Sequence, residues 1–321
     1  MNPIRTSLAA LLLAATAQAQ TQTPRSPEHP RQPTLIKPAE KPELPDRAPS
    51  DDEQLAIAAL EGLMTQPPER ALPIIKKVLA GAQPTVVKRR AIFVLSQMNT
   101  PEARGMLLQT ARTDGALRGD AIRSIGISGD GKLLDSLQEL YPTADAETKK
   151  QILQAWMISG RRQSVYQVAA NAKNEEEASE AIHMLGVMGA TEELRKLGDR
   201  PTSSGSLLDA YAISGDLAGL RKIAEGSADK AQRVDATRRI GIIHSDAART
   251  ALREIYSGST DEEIRKAAVQ GMLISQDDKD VLALYRAAKT NDEKRMLLRT
   301  LSMMNSDAAL EAIDATLEKK P

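Results

Sequence analysis

The feature that most constrains this chain is a phrase it keeps rewriting. Aligned on Ala121 in the stretch Ala121-Ile122-Arg123-Ser124-Ile125-Gly126-Ile127-Ser128-Gly129, the equivalent first positions are Ala91, Ala121, Ile152, Ala181, Leu207, Ala236, Ala268 and Leu297, spaced by 30, 31, 29, 26, 29, 32 and 29 residues. Self-similarity at this period marks a stack of small units, because one unit cannot bury its own apolar face and must lean on its neighbours.

Numbering Ala121 as column one, column five is bulky and apolar in all eight units: Leu95, Ile125, Trp156, Leu185, Tyr211, Ile240, Met272 and Leu301. Column two is nearly as strict, with Ile92, Ile122, Leu153, Ile182, Leu208, Thr237, Val269 and Leu298. Columns one, two, five and eight share one side of an α-helix, so they form a buried stripe. Column nine reads Asn99, Gly129, Gly160, Gly189, Gly215, His244, Gln276 and Asn305. Gly and Asn tolerate the left-handed conformation that closes a helix, so six of these eight units carry a stop signal there. Sixteen residues past column one a second apolar position recurs as Leu107, Leu137, Val168, Leu197, Ile223, Leu252, Leu284 and Ile313. Each unit is therefore a long and a short helix joined by tight turns. Aromatic residues are only 2 % of the chain, so the core must be aliphatic and finely interdigitated. The expected fold is all-α, an α-α superhelix of about eight two-helix repeats over 51–321, with the elements near Asp51–Met64 and Asp307–Lys319 as caps.

The long helices are also introduced in a common way. Asp114, Asp145, Asp229 and Asp261 stand seven residues before column one, and Lys88, Arg118, Lys149, Arg233, Arg265 and Lys294 stand three before it. This arrangement resembles HEAT repeats, and the thirty-residue period resembles the short bacterial variety named after phycobilisome lyases, in which V-R-x-x-A-x-x-A-L-G follows an aspartate turn. Val87-Lys88, Leu117-Arg118 and Ile264-Arg265 carry the first part of that pattern, and Gly126, Gly186 and Gly241 its small residue. The resemblance runs from about Ser50 to the C-terminus and implies a fold, not a function. Units four and five depart from it, with Ala178 and Ser204 in place of the basic residue and a shortened spacing through Pro201-Thr-Ser-Ser-Gly205, so regular stacking is expected to weaken there.

Upstream, residues 1–19 hold Arg5, the apolar run 8–15 and Ala17-Gln18-Ala19, the layout of a secretory signal peptide with an A-x-A cleavage site. The expected mature chain begins near Gln20, outside the cytoplasm, periplasmic or extracellular, and without a transmembrane segment. Residues 20–50 carry Pro24, Pro27, Pro30, Pro33, Pro38, Pro42, Pro45 and Pro49, which block helix and sheet and predict an extended linker. Ser50-Asp51-Asp52-Glu53 then reads as a helix cap.

Several chemistries are excluded or disfavoured. The chain has no cysteine, so disulfides, thiolate metal sites and thiol catalysis are out. Lys+Arg and Asp+Glu are equal at 43 each, which gives no overall pull toward nucleic acid. Three histidines, without H-E-x-x-H spacing, do not make a zinc site. His29 falls in the linker, His244 in the helix-stop column and His183 in column three. Gly126-Ile-Ser-Gly129-Asp-Gly131 follows a helix, so it reads as a capped turn and not a phosphate loop. Asp277-Asp278-Lys279-Asp280 lacks the glycine and terminal glutamate of a calcium loop and reads as a helix cap. Trp156, in column five, reads as core.

One pattern points to recognition. The HEAT resemblance implies that the long helices line a concave surface, and column three should face it. Its members, with one basic neighbour, give a candidate partner-binding groove of Arg90, Phe93, Arg123, Gln154, His183, Arg238 and Arg299, suited to a protein or peptide with an acidic segment. Against that reading, the basic residue three before column one pairs with its neighbouring aspartate, and Asp209 dilutes the column. The expected function is a non-catalytic exported scaffold for protein–protein interaction, with no cofactor, no metal and no nucleic-acid partner. The alternatives are an enzyme on HEAT-like repeats, such as a lyase, and a structural accessory subunit of an envelope complex.

Overall fold

A computed structural model describes residues 48–113, 115–198 and 204–318. The expected signal segment 1–19, residues 20–47 of the proline-rich stretch, and Asp114 lie outside the described residues. One unit runs over Pro49–Pro321. Among its described residues there are eighteen α-helices and no strand. They are α1 (Asp51–Gly62), α2 (Pro68–Ala80), α3 (Thr85–Ser96), α4 (Pro101–Arg112), α5 (Arg118–Ser128), α6 (Gly131–Leu140), α7 (Ala146–Ile158), α8 (Arg162–Asn171) and α9 (Glu175–Val187). The remainder are α10 (Thr191–Gly198), α11 (Ser204–Ser214), α12 (Leu217–Ala224), α13 (Lys230–Ile240), α14 (Asp246–Gly258), α15 (Glu262–Ile274), α16 (Asp278–Ala287), α17 (Asn291–Met304) and α18 (Asp307–Leu317). The eight repeats are the pairs α3/α4 to α17/α18, and α1/α2 adds a ninth pair. Odd-numbered helices stack on one another in one layer and even-numbered helices in the other, with wider contacts in the odd layer.

Local chemistry fixes where each long helix starts and stops. Position seven before column one is the N-cap: Asp145, Asn174, Asp229, Asp261 and Thr290 each accept a backbone amide from the first turn of α7, α9, α13, α15 and α17. Ser50 caps α1 through a reciprocal box with Glu53. At the far end, column nine is left-handed in seven of the eight units: Gly129, Gly160, Gly189, Gly215, His244, Gln276 and Asn305. The turn geometry thus extends to His244 and Gln276, which have no glycine-like freedom, and passes over Asn99.

The buried stripe is continuous. Columns one and five are buried in every unit, and column two in all but Leu298, which is half-buried. Trp156 is 1 % exposed and stacks on Tyr141. The short helices vary more. Leu107, Leu137, Leu197 and Leu252 are buried, whereas Val168, Ile223, Leu284 and Ile313 are half-buried. In three of those units Val165, Leu220 and Val281, one turn earlier, are the buried residues.

The long helices do not stack evenly. Contact is closest in α5/α7, α9/α11 and α13/α15, and sparse in α7/α9, α11/α13 and α15/α17. Column six explains the alternation. It is Gly126, Gly186 and Gly241 where contact is close, and Met157, Ala212 and Leu273 where it is sparse. A Cβ at Gly126 would lie 2.8 Å from Ala155 Cα, and one at Gly241 only 2.1 Å from the Gly271 carbonyl oxygen, so backbones meet there directly. The shortened spacing between units four and five does not weaken the stack: Gly186 packs on Ala210, and α9/α11 is among the closest pairs. At the C-terminal end, α18 packs on α16 and α17 but leaves Leu310 and Leu317 well exposed, so its outer face is not the polar one of a sealed cap.

Candidate functional site

The two layers present different faces. On the even-numbered helices, arginines reach carboxylates of the adjoining repeat: Arg104–Asp130, Arg161–Asp135, Arg195–Asp216, Arg221–Glu254, Arg253–Asp280 and Arg286–Glu311. Arg195 is bidentate to Asp216, at 2.7 and 2.5 Å, and this holds Asp216 in place as the cap of α12. The charges of this face are largely spent on one another.

Column three lies outward on the odd layer. Arg123, Gln154, His183, Asp209, Gln270 and Arg299 are exposed, while Phe93 and Arg238 are half-buried. The side chains expected to form one basic groove are not equally available. Arg90 pairs with Glu61 on α1 and lies 5.2 Å from the centre of the Phe93 ring, so both are occupied by the N-terminal pair. Arg238 bonds Asp235 and Gln270, and Asp209 receives Arg239. Among the described residues, Arg123, His183 and Arg299 have no ion pair or side-chain hydrogen bond, and neither has Lys150, one turn before Gln154.

The basic residue three before column one is also engaged. It reaches the next repeat: Arg118 bonds Asp145 and Thr148, Lys149 bonds Glu177, and Arg265 bonds Glu293. Arg233 donates to the Ala224 carbonyl. The reason is geometric, since a side chain at the start of one long helix points across to the first turn of the following one. These carboxylates are shifted accordingly. For Asp145, the amide and hydroxyl of Thr148 and then Arg118 lower the pKa. For Glu177, burial pulls upward, but bonds from Lys149, the Lys173 amide and Tyr141 outweigh it and the net direction is down.

The feature that sequence reasoning passed over is column seven. It reads Ile127, Ile158, Val187, Ile213, Ile242, Ile274 and Met303 in units two to eight, and all seven are exposed, from 38 % at Ile274 to 58 % at Met303. Among the described residues, every large exposed hydrophobic side chain between α2 and α18 belongs to this column. Column seven is one turn beyond column three on the same helix face. Each long helix of units two to eight therefore shows a polar residue and then an apolar one, as in Arg123 and Ile127, Gln154 and Ile158, or His183 and Val187. A single exposed isoleucine is ordinary, but a row of them in register across seven repeats is the kind of apolar surface that marks recognition.

His244 closes the turn after α13 in the left-handed conformation. Asp277 is buried beside Asp280 with Oδ2 unpartnered, and burial, then the Asp280 carboxyl, pushes its pKa up to about 6. Among the described residues no group of three or more His, Asp or Glu is placed to hold a metal ion. No described helix is long and apolar enough to cross a membrane.

With that geometry in place, comparison with known proteins finds a match to part of the array. Residues 72–156, from α2 to α7, match the family described as HEAT repeats. Over that stretch the chain is similar to HEAT repeats. The match does not specify the short lyase-type variety of HEAT repeat. No curated protein matches the chain. A solved structure from work on the computational design of self-assembling cyclic protein homooligomers is similar at 14 % identity, covering 84 % of this chain and 100 % of that one, with a TM-score of 0.15. So loose a superposition carries no argument, and the fold rests on the HEAT match and the helix pairs themselves. HEAT repeats suggest a helical repeat scaffold for protein interaction.

Proposed function

We propose that this chain is a non-catalytic scaffold, exported from the cytoplasm, that receives a partner protein on the outward face of its odd-numbered helices. The observation that carries the reading is the exposed aliphatic row of column seven, set in register along seven repeats, while among the described residues the even-numbered helices α4 to α16 show no large exposed hydrophobic side chain. Burying such a row on a partner removes apolar surface from water at about 25 cal/mol per Å². Export is supported by the charged, apolar and A-x-A order of residues 1–19.

The test is capture in the native cell envelope by crosslinking, comparing the wild type with Ile158→Asp, Val187→Asp and Ile213→Asp combined. These side chains are exposed, so helicity should be unchanged while the crosslinked partner is lost at least tenfold. Undiminished capture would remove the odd-layer face from the account. N-terminal sequencing of exported material should begin near Gln20; protein retained unprocessed in the cytoplasm would return the enzyme reading to consideration.

A further inference from the structure

The two ends of the array expose what the repeats between them bury. Aligning Ala56, Ile57 and Leu60 of α1, and Leu63 just after it, with columns one, two, five and eight puts Leu55 one position before column one. In the eight repeats that position, from Arg90 to Met296, is buried or half-buried, whereas Leu55 is 72 % exposed. Column four behaves alike. Ala155, Ala210 and Gly271 meet a glycine of the preceding long helix there, and the equivalent Ala59 is exposed. Asp52, Leu55 and Ala59 share one side of α1, the side that a preceding repeat would cover.

The C-terminal end is the counterpart. Thirteen residues past column one, Leu134, Val165, Leu194, Leu220 and Val281 are buried. The following long helix covers this place, since Trp156 donates to the Leu134 carbonyl at 3.5 Å and Tyr211 to the Leu194 carbonyl at 3.2 Å. In the last repeat the same position is Leu310, 67 % exposed, and two turns on Leu317 is 79 % exposed where Tyr141 and Tyr256 are buried. On α17, Leu298 and Ser302 are the most open members of columns two and six. Terminal repeats of a solenoid ordinarily turn a polar face outward, and neither end here does so.

Charge shows what fits these ends. Arg118, Lys149 and Arg265, three before column one, reach Thr148, Glu177 and Glu293, each four before column one of the next repeat. Lys294 holds the donor position at the C-terminal end and Asp52 the acceptor position at the N-terminal end, and among the described residues neither has an ion pair. The even layer carries the reverse polarity. Seventeen past column one, Arg253 and Tyr285 reach forward to Asp280 and Thr316, and on α18 that position is the exposed Asp314, between Leu310 and Leu317. On α2 the buried Ala71, Leu72 and Ile75 match Leu133, Leu134 and Leu137 of α6, which puts Ile74 where α18 buries Ala312. Ile74 is exposed, with Arg70 and Lys77 a turn to either side. The two ends are thus the two halves of the junction that joins neighbouring repeats. We infer that the occupant of each end is a second copy of this chain, α1 and α2 of one copy stacking on α17 and α18 of another as the next repeat. This goes beyond the scaffold reading and leaves the odd-layer face free. Such a junction is heterologous, so each copy keeps an open end and the stack grows into a ring or a filament.

The experiment is sedimentation velocity on the full exported chain across the micromolar range, where the average mass should rise past that of a dimer. Leu55→Glu blocks one end, and Leu310→Glu with Leu317→Glu blocks the other. These side chains are exposed, so helicity should hold while each variant runs as a monomer. Mixed together, the two variants should form a one-to-one dimer and nothing larger, because each retains one working end. Lys294→Glu should weaken association about tenfold, and adding Asp52→Lys should restore it. A wild type that stops at a dimer, or a dimer that both end variants preserve, would mean that like ends meet and would overturn the inference. So would a charge reversal without rescue, or a mixture that fails to pair. A wild type that stays monomeric would hand the ends to a different partner and overturn it as well.

Discussion

Helix α15 has two neighbours in its own layer, and it holds them by opposite means. Toward α13 it brings Gly271 against Gly241, backbone to backbone, with no side chain between them. Toward α17 the contact is sparse and is held by a polar cluster, in which Tyr256 donates to Glu293 at 2.5 Å and Arg265 bonds both while lying 4.4 Å from the centre of the tyrosine ring. Helix α7 repeats the scheme, with Gly126 on Ala155 toward α5, and Tyr141, Lys149 and Glu177 toward α9. The packing period is thus two repeats although the sequence period is one. Pairs of repeats behave as welded bodies; a tyrosine hydrogen-bonded to an ion-paired glutamate joins one body to the next at α7/α9 and α15/α17, and the Arg239–Asp209 pair does so at α11/α13.

The largest effect should come from breaking a weld. Gly241→Val places a branched side chain where even a Cβ would lie 2.1 Å from a carbonyl oxygen, and helix backbones cannot move apart without dragging both repeats. We expect a loss of at least about 3 kcal/mol, at the upper end of overpacking costs, read as a lowered urea midpoint by circular dichroism. Gly105→Ala is the matched control, since that helical glycine has open space around it and the substitution should stabilise by about 0.5 to 1 kcal/mol. Equal destabilisation by the two would mean that the welds do not exist.

The joints should respond to charge instead of size. Glu293→Gln removes the anion that Tyr256 and Arg265 share, and should cost about 2 kcal/mol at neutral pH. Bonds from Tyr256, outweighing burial, and from Arg265 lower the Glu293 pKa below its ordinary 4.5. A depressed carboxylate contributes stability above 4.5 that is lost as pH falls through its folded value, so the wild type should weaken in acid and Glu293→Gln should weaken less. Tyr256 is pushed up to about 12 by burial and then by Glu293, so its share persists below 10.0 and is lost as pH rises toward 12. Asp277, at the end of the turn after α15, has the opposite sign from Glu293. Its raised value of about 6 gives stability that is complete below 3.8 and lost as pH rises through 6. Asp277→Asn should therefore stabilise by about 1 kcal/mol at pH 7 and by nothing at pH 4, as measured by paired urea titrations.

Much of this was legible in the residues, and what was missed has physical reasons. Columns one, two and five follow from periodicity because burial selects for bulk, and the helix caps follow from single residue types. The welds were half legible: Gly126, Gly186 and Gly241 stand out as small, but that they alternate with Met157, Ala212 and Leu273 matters only once helices are neighbours. Column seven was written in units two to eight and escaped because an isoleucine just before a stop signal reads as one more core residue. Its relation to column three, four residues earlier on the same face, was the available clue. The inter-repeat ion pairs escaped for a different reason, since sequence distance points to a residue's own turn while helix geometry also brings the next repeat's carboxylate within reach.

The finest test of the weld and joint distinction lies at column nine, where α13 and α15, the two members of one welded pair, both end in left-handed residues that are not glycine. His244 has φ 51° and Gln276 φ 55°, where the Cβ crowds the backbone and costs about 1 kcal/mol. In units two to five glycine takes the same turn without that cost, so the conformation is imposed by the stack and not by the residue. Gln276→Gly should relieve the strain but enlarge the freedom of the unfolded chain, which takes back part of the gain. The net expectation is a stabilisation of about 0.5 kcal/mol, visible as a small rise in urea midpoint. If the turn were instead held loosely, as at a joint, glycine would only add disorder and the midpoint would fall. The sign of that small change therefore reports whether the welded pair extends to the ends of its helices.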